Sequence, residues 1–211
     1  MINKKVNAFT LAEVLITLVI IGVVAAMTIP NVIQHYKKQE YSARVKKFYS
    51  TMQQVVQKAD AVGKSWRDFD DNISNFQNSN YLNFLNGYVL PYLQYTKRDN
   101  QIVYLTDGSY FKISLEPYPF PCVHFDYDVN GDKLPNVSGS DIFEFEYCSS
   151  WYSGEKLKFG PYQYTNSMIK TYNTREKVKD ACASSSGGGH CTVLLVKYDN
   201  WEFKNDYPKR L

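Results

Sequence analysis

Between Asp128 and Asp141 the chain sets side-chain oxygens at alternate positions: Asp128-Val129-Asn130-Gly131-Asp132, then Asn136 and Asp141. Carboxylate and amide oxygens spaced in this way can converge on Ca2+, a hard cation that takes about six to eight oxygen ligands. Lys133 stands where a glycine is usual in such loops, and no Glu occupies the twelfth position. The same residues also make an ordinary polar β-turn, because Asn-Gly is a strong turn signal. Four cysteines follow or flank this stretch, Cys122, Cys148, Cys182 and Cys191, and four cysteines allow three pairings. The favoured pairs are Cys182–Cys191, which closes the Ser184–Gly189 loop, and Cys122–Cys148, which ties the ends of the region between two strands. Zinc fits poorly, since no C-x2-C spacing occurs and His190 is the only nearby imidazole. His35, His124 and His190 are scattered, and neither H-E-x-x-H nor G-x-S-x-G is present. The chain is therefore expected to have no catalytic residues and no required cofactor, with Ca2+ as the one ion its side chains suggest.

A second chemically unusual residue is Glu13, at the edge of a run without charge. From Val14 to Ile33 no side chain is ionisable, and at ~1.5 Å per residue such a run covers a ~30 Å bilayer core. A carboxylate there costs about 2.5–3.5 kcal/mol even on the lenient insertion scale, so it needs a partner. Thr10-x-x-Glu13 is one internal answer, a helix capping box at the positive end of the helix dipole. Pro30, inside the apolar run, removes a backbone hydrogen bond, and with Gly22 marks where the helix is free to kink or melt.

Composition bounds the rest. The 211 residues are 44% hydrophobic and 21% charged with a net charge of +3, which excludes disorder and gives no reason to expect a nucleic-acid partner. Tyr 18, Phe 12 and Trp 3 make the chain 16% aromatic, a supply suited to strands wet on one side. The pattern is a single-pass protein, anchored at its N-terminus, with a polar remainder.

The order of features at the start is specific. Lys4 and Lys5 form a short basic leader, then come Ala8, Phe9-Thr10-Leu11-Ala12-Glu13 and the apolar run, with Pro30 beyond. This order resembles the prepilin N-terminus of type IV pilins and type II secretion pseudopilins. The resemblance implies that a membrane prepilin peptidase cuts between Ala8 and Phe9 and methylates the new amine of Phe9. It further implies that Glu13, fifth in the mature chain, pairs with a neighbouring subunit's amine and sets filament register, and that the helix loosens at Pro30. Ala8 departs from the family's usual Gly, and Ala12 from its usual larger aliphatic. A calcium site in a C-terminal loop also occurs in major pseudopilins.

The elements that must carry these residues follow from periodicity. Val45, Phe48, Met52, Val55, Ala59 and Val62 recur at steps of three and four, opposite Lys46, Lys47, Gln53, Gln54 and Lys58. One long helix is expected over 9–63, membrane-spanning at about 12–33, with Gly63 as its C-cap. Such a helix is about 80 Å long, too long for one core. Trp66, Phe69, Phe76, Tyr81, Leu82 and Phe84 suggest short helices and turns. Ile102–Leu105 and Tyr110–Leu115 around Asp107-Gly108 read as a β-hairpin. Val123–Tyr127, Ile142–Tyr147 and Val193–Tyr198 read as further strands. The predicted fold class is α+β and pilin-like: a leader at 1–8, the long helix, and a globular domain at 64–211 whose small antiparallel sheet packs on the second half of the helix.

The positive-inside count opposes this topology, because Lys37, Lys38, Arg44, Lys46 and Lys47 follow the span and only Lys4 and Lys5 precede it. The leader motif and an even number of dispersed cysteines favour a periplasmic domain on a bacterial inner membrane. The expected function is a structural subunit of a type II secretion pseudopilus or type IV pilus, with other pilin-like subunits and the prepilin peptidase as partners. The alternative is a membrane-anchored periplasmic module that binds glycan or another ligand through its tyrosines.

Overall fold

The computed structural model describes residues 10–66, 80–116, 122–148, 159–162, 171–184 and 187–211. The leader residues Lys4, Lys5, Ala8 and Phe9, as well as Phe69 and Phe76, lie outside them. The chain divides into two units, 1–38 and 39–211.

Helix α1 spans Leu11–Ala61 and is continuous through Pro30. Pro30 has no N–H to offer the carbonyl of Ala26, one turn earlier, so the ladder loses one bond there. From Leu11 to Ile33 the large apolar side chains are exposed, and an 18-residue window of this helix is long and apolar enough to cross a membrane. From Tyr41 onward the stripe is buried: Tyr41, Val45, Phe48, Met52, Val55 and Ala59. Val62, expected to continue it, is 63% exposed. The helix has ended at Ala61, and its stop at Gly63 turns Val62 off the buried face. Gly63 N–H donates to Asp60 O at 3.1 Å and Lys64 N–H to Ala59 O at 2.9 Å, the paired bonds of a helix stop.

The buried stripe is covered by a six-stranded sheet in chain order, β1 Lys97–Asp99, β2 Ile102–Tyr104, β3 Tyr110–Glu116, β4 Cys122–Asp128, β5 Ile142–Cys148 and β6 Gly160–Pro161, each pair antiparallel. Period-two alternation sends Phe111, Tyr127 and Phe143, in register across β3, β4 and β5, to one face. Ile113, Phe125 and Phe145 form the next row of that face. Phe48 of α1 stacks on Tyr127 at 4.1 Å between centroids and sits 5.5–5.6 Å from Phe145 and Phe111. Trp66 closes the far end against Phe84, Phe125 and Tyr147. Before the sheet, α2 (Asn80–Phe84) runs on through a π-helical turn, Leu85–Val89, to a 3-10 turn at Leu90–Tyr92.

The opposite face carries Lys112, Asp126 and Glu144 in one row and Ser114, His124 and Glu146 in the next. At β5 and β6 it is packed by α4 (Gly188–Val193), which is continued by a π-helical segment Leu194–Tyr198, and α3 (Arg175–Ala183) packs in turn on α4. This corrects the expected strand at Val193–Tyr198. Cys191, Thr192, Val193, Leu194 and Leu195 are buried in succession, and a short, mostly apolar run does not distinguish strand from buried helix. Gly188 and Gly189 start α4 where a Cβ would come within 2.4–2.9 Å of Ser138, Glu144 or Tyr162. The Gly-rich stretch is a close approach of backbone to sheet.

Candidate functional site

The loop joining β4 to β5 brings four of the five acidic-loop residues into one hydrogen-bonded knot. Asp128 ends β4, and its Oδ1 accepts from Asn130 N at 3.1 Å. Asp141 leads into β5. Its Oδ1 accepts from Val137 N at 2.7 Å, and its Oδ2 from Asn136 N at 2.9 Å and Asn130 Nδ2 at 3.0 Å. Asp128 and Asp141 are both fully buried. Burial pushes the Asp128 carboxyl up to about 6, and the neighbouring charge of Asp141 adds to the rise. Tyr110 donates its hydroxyl to Asp128, and burial followed by that carboxylate pushes the phenol up to about 12. Asp132, by contrast, is exposed. Gly131 fits because its φ is +70° and a Cβ would lie 2.3 Å from Gly108 O in the β2–β3 turn.

Two observations bear on whether the loop suits a cation. Asn130 Oδ1 is buried and has no hydrogen-bond partner among the described residues, a costly state for a bare carbonyl oxygen. The amide end of Asn136 lies 3.1 Å from Asp128 Oδ2 and 2.8 Å from Lys133 O. With its nitrogen inward Asn136 donates to both, so the loop satisfies these two oxygens with its own amide. Asp128, Asn130, Asn136 and the carbonyl of Lys133 are the groups of this loop that could offer oxygens to a cation, Asn136 only with its amide turned away from the orientation that satisfies the loop. Both oxygens of Asp141 are already committed to N–H groups. Among the described residues, the one trio of Cys, His, Asp or Glu ligand atoms drawn close together is Cys122, Glu146 and Cys148. The two sulfurs are bonded to each other at 1.99 Å and are not free to ligate. The second disulfide joins Cys182 to Cys191 at 2.03 Å.

At the start of α1, Glu13 and Thr10 form a reciprocal cap. Glu13 Oε2 accepts from Thr10 N and from Thr10 Oγ1, both at 2.8 Å, and Glu13 N donates to Thr10 Oγ1 at 3.3 Å. The cap uses Oε2 for both bonds. Ala8 and Phe9, the expected cleavage and methylation positions, lie outside the described residues.

Residues that periodicity did not single out as site residues complete the loop's setting. Tyr41 Oη accepts from Asn130 Nδ2 at 3.2 Å. Arg44 donates to Val129 O at 3.3 Å and to Asp107 O at 3.2 Å while paired with Glu40 at 2.9 Å. The signal for Tyr41 was present, since it precedes Val45 by four and extends the buried stripe backward by a turn.

Two family models match the chain, one described as a family of unknown function, DUF6613, over residues 31–211, the other as the prokaryotic N-terminal methylation motif over residues 3–29. The chain belongs to the DUF6613 family. No curated protein and no solved structure matches it. In this DUF6613 member the methylation motif is the signature of type IV pilins and pseudopilins. It covers Lys4, Lys5, Ala8, Phe9 and Glu13 and reaches to the residue before Pro30. The motif suggests membrane anchoring through the apolar helix and association with other pilin-like subunits, in a structural class that is generally not enzymatic.

Proposed function

We propose that this DUF6613 chain is a structural subunit of a type II secretion pseudopilus or type IV pilus. It is made as a precursor, cut between Ala8 and Phe9 by a prepilin peptidase and methylated on Phe9. It is held in the bacterial inner membrane by the exposed apolar part of α1, with the 64–211 domain in the periplasm. In the filament its helices pack against those of other pilin-like subunits, with Glu13 pairing and Pro30 loosening the helix. The observation that carries this reading is the methylation motif running directly into one exposed apolar helix. Intact-mass and N-terminal analysis of the native protein test it. A chain starting at methylated Phe9 is expected, and one starting at Met1 or after Ala26 overturns it.

A second reading concerns the β4–β5 loop, and the unpartnered Asn130 Oδ1 together with two buried carboxylates favours it. Ca2+ held by Asp128, Asn130 and Asn136 would supply the positive charge that Asp128 and Asp141 lack. Binding to the folded state alone raises stability by roughly 2.7 kcal/mol at a hundredfold excess over the dissociation constant. Loops of this extracellular type bind in the ~10⁻⁴–10⁻³ M range. Thermal melts in millimolar calcium, magnesium and chelator should show the highest midpoint in calcium, a smaller rise in magnesium, and none in an Asp128→Ala variant. One midpoint in all three conditions retires the ion.

A further inference from the structure

We propose that the cleft between α1 and the β2–β3 turn binds a short acidic oligosaccharide, with its carboxylate on Lys58 and its hydroxyls on Gln54 and Gln94. This site is independent of the filament and calcium readings and uses none of their residues.

The cleft is a cavity of about 370 Å³, within the ~300–1,000 Å³ range of small-molecule sites. Its floor is buried and largely apolar, made of Phe48, Val55 and Tyr127. One wall is a row on α1, Lys47, Thr51, Gln54 and Lys58, whose steps of four, three and four place them on one helix face. The other wall is Tyr92 and Gln94 together with the turn residues Leu105, Thr106 and Asp107. All of these belong to the 39–211 unit. The two lysines stand about 16 Å apart along the helix, at ~1.5 Å per residue, and differ in state. Lys47 is paired with Asp107 at 3.0 Å and bridges the two walls at one end. Lys58, at the other end, is exposed and has no ion pair or hydrogen bond among the described residues. The side chains of Thr51, Gln54, Gln94 and Thr106 likewise make no hydrogen bond among the described residues.

These groups select the chemistry of the ligand. Amides and hydroxyls each donate and accept, as sugar hydroxyls do, so four neutral groups lining one cleft suit a polyhydroxylated molecule. Tyr92 adds an aromatic ring with a polar tip. The one uncommitted cation calls for a carboxylate on that molecule. An extended peptide fits less well, because it gains affinity by adding to a sheet edge. The α1 wall offers no main-chain partners, since an α-helix bonds its own N–H and C=O groups internally. Recognition there falls to side chains.

Isothermal titration calorimetry of the full chain in detergent micelles, with chelator present to remove divalent cations, tests the site. The probes are xylotriose bearing one glucuronic acid, trigalacturonate, neutral xylotetraose and tetraglutamate. At least one acidic sugar should bind with a millimolar or lower dissociation constant, about two- to fivefold more tightly than xylotetraose, the margin of one partly exposed ion pair. Lys58→Gln should lose that margin and bind acidic and neutral sugars alike. Gln54→Ala should weaken both about three- to tenfold, while Lys46→Gln, outside the cleft, changes neither. All three positions are exposed on α1, and circular dichroism verifies that each variant keeps its helix. No binding of either acidic sugar at millimolar concentration overturns the proposal, as does a Lys58→Gln chain with the wild-type preference. Tetraglutamate bound more tightly than the sugars overturns it in favour of an acidic peptide.

Discussion

Cys122 and Cys148 face each other directly in the β4–β5 register and are joined by a disulfide at the end of that ladder. The bridge spans a sequence separation of 26 residues, against 9 for Cys182–Cys191. In the chain-entropy account, the longer loop removes more freedom from the unfolded state, by about 1 kcal/mol between these two lengths. Replacing Cys122 and Cys148 by Ala should therefore lower stability by about 1 kcal/mol more than replacing Cys182 and Cys191, measured by denaturant melts. Non-reducing mass analysis of the native protein should find no free thiols. Four free thiols would reverse the proposed periplasmic topology and favour the side chosen by the lysines after the span.

Arg175 at the start of α3 closes the C-terminal tail onto that helix. Its guanidinium contacts Asp199 at 2.6 Å and Asp206 at 2.8 Å, and Asp199 is fully buried with Lys204 at 3.0 Å as a second cation. Arg175 and Lys179 hold the Asp206 carboxyl well below the usual carboxylate range. Removing one partner of a buried charge is far more costly than losing an exposed pair. Arg175→Ala should lower stability by about 2–3 kcal/mol with Asp199 left on Lys204 alone. Lys179→Ala, which touches the exposed Asp206 and Glu176, should change it little. Equal losses in the two variants would show that Asp199 is not the source.

Much of the fold was legible because its signals are local. The α1 stripe from Val45 to Ala59 follows a helical period, and the β2–β3 hairpin follows strict alternation around Asp107-Gly108. The strands β4 and β5 were legible for the same reason. What escaped depends on tertiary packing. Strands of three and two residues, β1 and β6, are too short to show a period. The helical Val193–Tyr198 continues α4 and packs on α3, with Val193, Leu194 and Leu195 buried, and this tertiary burial overrides the β-propensity of Val and Tyr. Of the candidate site, the alternating oxygens of Asp128, Asn130 and Asn136 were visible in the spacing. The exposure of Asp132 and the engagement of Tyr41 were not, because each depends on how the loop folds back on α1.

Asp126 and Glu144 stand opposite each other in the β4–β5 register on the face beneath α4. Burial pushes both carboxyls up from their ordinary values. His124 and Lys112 oppose the rise at Asp126; at Glu144 the Ser138 hydroxyl opposes it and the charge of Asp126 adds to it. A group whose folded pKa is raised binds its proton more readily when folded. Its contribution to stability is full below the ordinary carboxylate range and is lost as pH rises through the folded value. Asp126→Asn should therefore match the wild-type chain near pH 3.5 and become the more stable of the two at pH 8. Chemical denaturation at the two pH values checks this, and a variant equally destabilised at both would assign Asp126 a purely structural bond.

Glu13 separates the two readings of the whole chain. In the structure its carboxylate is satisfied within its own first turn by Thr10, through Oε2 alone. A helix cap of this kind needs an oxygen acceptor at Glu13, and the amide oxygen of Gln supplies one. Glu13→Gln should therefore keep α1 helical and let the protein reach the membrane. What Gln lacks is the negative charge. In a filament subunit, that charge is needed to meet the cleaved α-amine of a neighbour in a medium where an ion without a partner is heavily penalised. The expected result is wild-type abundance in the membrane fraction with little or no protein in sheared or cross-linked filaments. Glu13→Asp, which keeps the charge on a shorter arm, should assemble better than Gln. A membrane-anchored ligand-binding module has no use for the charge, and filament-independent activity unchanged in both variants would favour that reading.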